Sequence, residues 1–254
     1  MVSEQTLAFP ITVLELWVET RIIAGTMTEL ATSIRKHLKV LADPARAPKM
    51  QAYMKSEMPY FGVAAVPMRK ACKSQFAGLH YTSSGDWQRD VLAIWDGAEY
   101  REERYAAIAL TGLRAAKAWQ TIAALPMYEH MVVTGAWWDF VDAIATVRFP
   151  VILRNDPSNM RHEMRAWSRC ENNWKRRSAI LCQHKARHDT DTAFLYDCIE
   201  PSISSKEFFL RKAIGWALRE YAWSNPDEVA RYVKANEGRL SGLSIREALK
   251  NLKK

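Results

Sequence analysis

The stretch Arg104-Tyr105-Ala106-Ala107-Ile108-Ala109-Leu110 recurs along the chain with its centre preserved. Its Ala-Ile pair returns in Asp142-Ala143-Ile144, Ser178-Ala179-Ile180 and Lys212-Ala213-Ile214, at intervals of 36, 36 and 34 residues. A helix-pair repeat of roughly 35–45 residues is the mark of an α-solenoid of the HEAT, armadillo or TPR kind. The residue before each Ala then occupies an equivalent position in every copy: Ala106, Asp142, Ser178 and Lys212.

The rest of the chain agrees with an all-α reading. Leu14, Trp17, Val18 and Ile22 fall on one helical face, as do Leu38 and Leu41. Ile108, Leu113 and Ala116 are expected on a third helix. Strand-like alternation is almost absent. Met131-Val132-Val133 is β-branched, but it sits inside a helical pattern. Turn signals at Asp43-Pro44, Ser83-Ser84-Gly85-Asp86, Asn155-Asp156-Pro157 and Ser224-Asn225-Pro226-Asp227 mark boundaries, and several double as helix N-caps.

Composition narrows the class. With 254 residues, 48% hydrophobic and 25% charged, the chain can bury a sizeable core, which excludes collagen-like, low-complexity and disordered classes. Ten glycines make Gly-rich phosphate loops an unpromising reading. The absence of HExxH, GxSxG, P-loop and GxGxxG patterns removes the common motif-bearing enzymes. Cys72, Cys170, Cys182 and Cys198 lack CxxC spacing and read as reduced, buried thiols of a cytoplasmic protein. His184 and His188 are spaced i,i+4 near Cys182, but no further ligands follow, so no metal is expected. The N-terminus has no basic n-region, and Glu15 and Glu19 interrupt its apolar part, so no signal peptide is read there. No apolar run reaches a membrane-spanning length. The stretch from Asn236 to Lys254 reads as a short amphipathic helix after Gly238 and Gly242, and no chemistry is assigned to it.

The net charge is +8. Between Arg161 and Thr190, eight Lys/Arg face three Asp/Glu, with Trp167 and Trp174 interleaved. A basic solenoid surface carrying aromatics suits a nucleic-acid backbone. In Gly135-Ala136-Trp137-Trp138-Asp139-Phe140-Val141-Asp142, a helix brings Trp138 and Asp142 onto one face. An aromatic ring beside a carboxylate suits a cationic substrate or a cationic transition state. A plainer reading also fits: Asp139 caps the helix, Trp138 fills the core and Asp142 pairs with Arg177 one repeat on.

These residues carry a resemblance. The segment 204–222, Ser-Ser-Lys-Glu-Phe-Phe-Leu-Arg-Lys-Ala-Ile-Gly-Trp-Ala-Leu-Arg-Glu-Tyr-Ala, is similar to the C-terminal signature of the AlkD family of DNA alkylation-repair glycosylases. Trp137-Trp138-Asp139-x-Val141-Asp142 resembles that family's active-site helix, and Trp174-x-x-Arg177-x-Ala179-Ile180-Leu181 resembles its next repeat. Tyr53-Met54-Lys55 and Phe61-Gly62-Val63 resemble its N-terminal part. The likeness runs from about residue 30 to 253. Residues 1–28 stand apart as an extension, and 29–254 form the repeat array of a single domain. Ala64-Ala65-Val66-Pro67 departs from the Gln-Thr-Pro often found there.

The resemblance implies tandem HEAT-like repeats forming a C-shaped basic groove around duplex DNA. It implies a monofunctional glycosylase that excises N3- and N7-alkylated purines without metal or cofactor. By motif position Asp142 is the catalytic carboxylate. Trp138 and Trp216 flank the lesion nucleotide, and Arg177 contacts phosphate beside it. Tyr53, Arg176, Lys206 and Arg211 complete the expected DNA-binding set. A groove around DNA needs one copy only, so a monomer is expected, cytoplasmic and nucleoid-associated when bound to DNA. A non-catalytic HEAT-repeat protein that binds distorted or branched DNA is the alternative.

Overall fold

A computed structural model of the chain describes residues 28–252; the face formed by Leu14, Trp17, Val18 and Ile22 lies outside the described residues. Among the described residues the regular structure is all helical. The first half holds α1 (Glu29–Val40), α2 (Ala47–Met54), α3 (Ala65–Phe76), α4 (Ser84–Asp96), α5 (Arg101–Leu110), α6 (Leu125–Gly135) and α7 (Trp138–Ala145). The second holds α8 (Phe149–Asn155), α9 (Pro157–Arg169), α10 (Asn173–Leu181), α11 (Thr192–Ile199), α12 (Phe208–Ala222), α13 (Pro226–Ala235) and α14 (Gly242–Ala248).

The turn signals act as helix starts. Ser83 Oγ accepts the Asp86 N–H at 3.1 Å, and Asn225 Oδ1 accepts that of Glu228 at 3.2 Å. The Asp156 side chain accepts from Asn159 N–H. Pro157 and Pro226 open their helices, where no backbone N–H is needed. Each such cap contributes about 1 kcal/mol.

The helices that carry the Ala-Ile pair, α5, α7, α10 and α12, stand side by side in that order. The row continues to α3 at one end and α14 at the other, while α4, α6, α9 and α13 back it. This is the helical-repeat solenoid expected from the 36-residue interval. Ala107, Ala179 and Ala213 are buried between neighbours, where a small side chain lets backbones approach, and Ile108, Ile144, Ile180 and Ile214 fill the seams. One apolar cluster runs the length of the array and includes the buried Trp87, Trp95 and Trp167.

Ile108, Leu113 and Ala116 do not share a helix, contrary to the expectation from spacing. The helix stops at Leu110, and 114–119 is a separate 3-10 turn. Thr111 accounts for the stop: its hydroxyl donates to the Ile108 carbonyl at 2.6 Å and accepts from Arg148 Nε at 2.8 Å. A side chain that competes for the last carbonyls ends a helix. Cys72, Cys182 and Cys198 are buried free thiols as expected, but Cys170 is only half-buried. Burial pushes the Cys72 thiol up to about 11.

Helices α12 and α14 pack backbone to backbone at Gly215. At Gly215 a Cβ would lie 2.5 Å from Glu247 Cβ and 2.8 Å from the Ser244 carbonyl. Gly215→Ala is therefore expected to force the two helices apart and lower stability by about 1–3 kcal/mol. Urea unfolding of the variant beside the wild type checks this; an unchanged midpoint would show that α14 yields freely.

Candidate active site

The site begins at the turn between α6 and α7. Ala136 adopts φ +39°, and Trp137 is extended, so the chain reverses within two residues. This turn sets Trp138 in the first position of α7 and Asp142 one turn later, both on the wall of a cavity of about 510 Å³. Across from them stand Arg177 on α10 and Phe208, Phe209 and Trp216 on α12. Tyr53, at the end of α2, reaches the same cavity although it lies more than 150 residues before α12 in the chain. An early helix and the last helices can share one cavity only because the array curves back on itself. Tyr53 is 76% exposed and Phe208 51%, so the mouth opens to solvent between two aromatic rings.

Asp142 is the best-buried carboxylate of this wall, its side chain 16% exposed. Arg177 grips it with two bonds, Nε to Oδ1 at 2.7 Å and Nη2 to Oδ2 at 2.8 Å. The third bond of Arg177, from Nη1 to the Phe209 carbonyl at 2.5 Å, ties the pair to the start of α12. Three of the five guanidinium N–H groups are thus bonded within the protein. Burial raises the Asp142 carboxyl above the ordinary aspartate value, and the Arg177 hydrogen bonds and charge offset only part of this. Arg177 thus favours ionisation, but desolvation is the larger effect.

Asp139 does not cap the helix, as the plainer reading had it. Its carboxylate is buried against α5, accepting from Arg101 Nη2 at 2.6 Å and from the Tyr105 hydroxyl at 2.6 Å. Arg101 also lies over the Phe140 ring, 4.0 Å from its centroid. Nor does Trp138 fill the core, since it stands half-buried on the cavity wall. The pairing of Asp142 with Arg177, which the plainer reading expects, is present.

Of the expected residues, the cavity gathers Asp142, Trp138, Trp216, Arg177 and Tyr53. Arg176 points elsewhere: Nε bonds Ser202 Oγ at 3.1 Å and Nη2 bonds the Pro201 carbonyl at 2.7 Å. Arg211 is half-buried behind the wall, with Nε lacking a partner. Lys206 is exposed on the approach to α12.

The basic segment 161–190 is not the open phosphate surface expected. Arg161, Arg165 and Lys175 pair with Asp191, Asp197 and Glu129. Arg177 and Arg187 pair with Asp142 and Glu220. Trp167 is a core residue, and Trp174 packs on Trp137 and Phe209. Arg169 and Lys185 stay exposed without an ion pair among the described residues, and the first helices add further free positive charge. Lys36, Lys39, Lys49, Lys55, Arg69, Lys70 and Lys73 are exposed and make no ion pair among the described residues.

The sequence reading missed Lys212, Arg219 and Glu247 on the cavity wall. Glu247 accepts from Lys212 at 2.9 Å and from Arg219, which leaves the wall with three cations against two carboxylates. The signal was present. Glu247-Ala248-Leu249 lies 35 residues after Lys212-Ala213-Ile214 and forms a fifth copy of the repeat, with Leu in place of Ile. Asp142, Lys212 and Glu247 hold the same repeat position, and all three face the cavity. The C-terminal helix, to which no chemistry was assigned, therefore belongs to the site. Among the described residues no three His, Cys, Asp or Glu side chains group as metal ligands, and His184 packs against Glu220 and Trp216 instead. No described helix is long and apolar enough to cross a membrane.

Residues 34–252 match the family described as DNA alkylation repair enzyme. The chain is also similar to a solved structure described as a predicted DNA alkylation repair enzyme from Enterococcus faecalis. The two are 29% identical with a TM-score of 0.75, over 84% of this chain and 97% of that one. A search of curated proteins finds no match.

Proposed function

Because this chain belongs to the DNA alkylation repair enzyme family, we propose that it is a monofunctional DNA glycosylase acting in base excision repair. Its substrates are cationic N3- and N7-alkylated purines, such as 3-methyladenine and 7-methylguanine, in duplex DNA. The observation that carries this reading is one poorly solvated carboxylate, Asp142, on the wall of an open cavity between two tryptophans.

An alkylated purine already carries a positive charge. When its bond to C1′ breaks, the base keeps the electron pair and leaves neutral, and oxocarbenium character develops on the sugar. An ionised Asp142 stabilises that charge in a site where water screens it little. Water then adds its oxygen to C1′ and gives its proton to Asp142, which passes it to solvent. Arg177 holds the carboxylate in one orientation and offsets the cost of burying its charge. Trp138 and Trp216 offer ring faces to the sugar and the cationic base. Lys212 lines the cavity, but a Schiff-base nucleophile must be neutral, and Glu247 holds this lysine as an ion pair. Hydrolysis without strand nicking follows.

The bidentate Arg177–Asp142 pair favours a second reading, in which the carboxylate only secures its arginine and the protein binds distorted or branched DNA without chemistry. Single-turnover release of 7-methylguanine from a defined duplex separates the two. The glycosylase reading expects release, with affinity for duplex falling steeply as salt rises, by a slope of about 0.9 per phosphate neutralised. Tight, salt-sensitive binding with no release would sink it and support the second reading.

A further inference from the structure

We infer that His184 is a positioning residue of this site: it seats the Trp216 ring from behind and supplies a titratable positive charge to the cavity wall. The glycosylase mechanism above makes no use of it, yet it is buried directly behind one of the two cavity tryptophans. Its ring meets the Trp216 ring edge-on, with centroids 4.9 Å apart and planes at 68°. The Arg177 guanidinium also lies over this ring, 6.0 Å from its centroid. Trp216 is therefore contacted by two side chains from α10 and the turn that follows it, spaced seven residues apart.

The polar contacts of His184 are incomplete. Nδ1 is buried with no hydrogen-bond partner. Nε2 is 3.8 Å from Glu220 Oε2, near enough for attraction and too far for a hydrogen bond. Glu220 is one helical turn beyond Trp216 on α12, and its Oε1 is also buried without a hydrogen bond. Protonated, the imidazole has a donor at each nitrogen and a charge that draws it toward Glu220.

The surroundings set the direction of coupling. Burial lowers the His184 value below that of an ordinary imidazole; Glu220 and Asp142 pull it up, while Lys185 and Arg187 press it down. Tyr221 lines the small space beside it. Conversely, a positive His184 favours the ionised form of Asp142. As pH falls, a proton on His184 preserves the carboxylate.

Two measurements test this. The first follows the His184 imidazole by NMR titration in the wild type, Glu220→Gln and Asp142→Asn. The midpoint is expected to fall by about 1 unit in Glu220→Gln and by a smaller but resolved amount in Asp142→Asn. The second is the pH profile of single-turnover excision by His184→Gln, which rests on the proposed role of Asp142. Its acid limb is expected at higher pH than the wild type's. A space-filling role alone predicts coincident acid limbs and a midpoint blind to Asp142→Asn, and either result would overturn the inference. If the wild type excises at no pH, the glycosylase reading falls, while the NMR midpoints still decide the coupling.

Discussion

Asp142→Asn is expected to slow single-turnover excision of 7-methylguanine by about 10²–10³-fold, the size of effect seen when one preorganised electrostatic group is removed. The amide keeps the shape and can still accept from Arg177, but it carries no negative charge to meet the charge developing at C1′. Duplex binding is expected to survive, since the carboxylate repels phosphate rather than attracting it. Wild-type activity should also show an acid limb. The ionised form is the active one, so activity is present above the Asp142 ionisation and lost as pH falls through it. Burial raises that ionisation above the usual aspartate value, so the limb should lie higher than an exposed aspartate would place it. Asp142→Asn should abolish the limb. Full excision by the variant would remove Asp142 from the chemistry.

Glu102→Ala is expected to cost about 3–5 kcal/mol of stability, the range for stripping one partner from a buried charged arrangement. Glu102 is completely buried at the start of α5. Its two oxygens accept three consecutive backbone N–H groups, those of Phe61, Gly62 and Val63, at 3.0, 2.8 and 3.0 Å. Unpaired buried donors are costly. Gly62 sits at φ +87°, and a Cβ there would lie 2.2 Å from the Asp43 carbonyl, so this strand of backbone cannot easily find another course. The loop leads back to α2 and Tyr53. Loss of Glu102 should therefore loosen the far side of the cavity as well as lower the urea midpoint. A wild-type midpoint in Glu102→Ala would contradict the arrangement.

Much of this was legible in residue spacing. The 36-residue interval identified helices that do stand side by side, because Ala and Ile at a constant period are what neighbouring repeats pack with. The i,i+4 spacing of Trp138 and Asp142 placed both on one wall, because a single helix carries them. Charge was less legible. Counting Lys and Arg between 161 and 190 could not reveal that Asp191, Asp197, Glu129 and Glu220 lie opposite them. Those partners come from other helices and from distant parts of the chain. The fifth repeat was overlooked because Leu249 replaces the expected Ile, and with it went Glu247 and the charged corner it makes with Lys212 and Arg219.

Repeat arrays usually change length easily, since each unit touches only its neighbours and one can be spliced out or duplicated. The two carboxylates of α7 remove that freedom in the middle of this chain. Asp139 is claimed by Arg101 from the preceding repeat, and Asp142 by Arg177 from the following one. Excising or inserting a unit on either side would strand a buried ion, a penalty of about 3–5 kcal/mol before any repacking is counted. Three successive repeats are thus riveted into one indivisible block. Variation in the number of repeats among natural or engineered versions of this protein should be confined to the ends of the array.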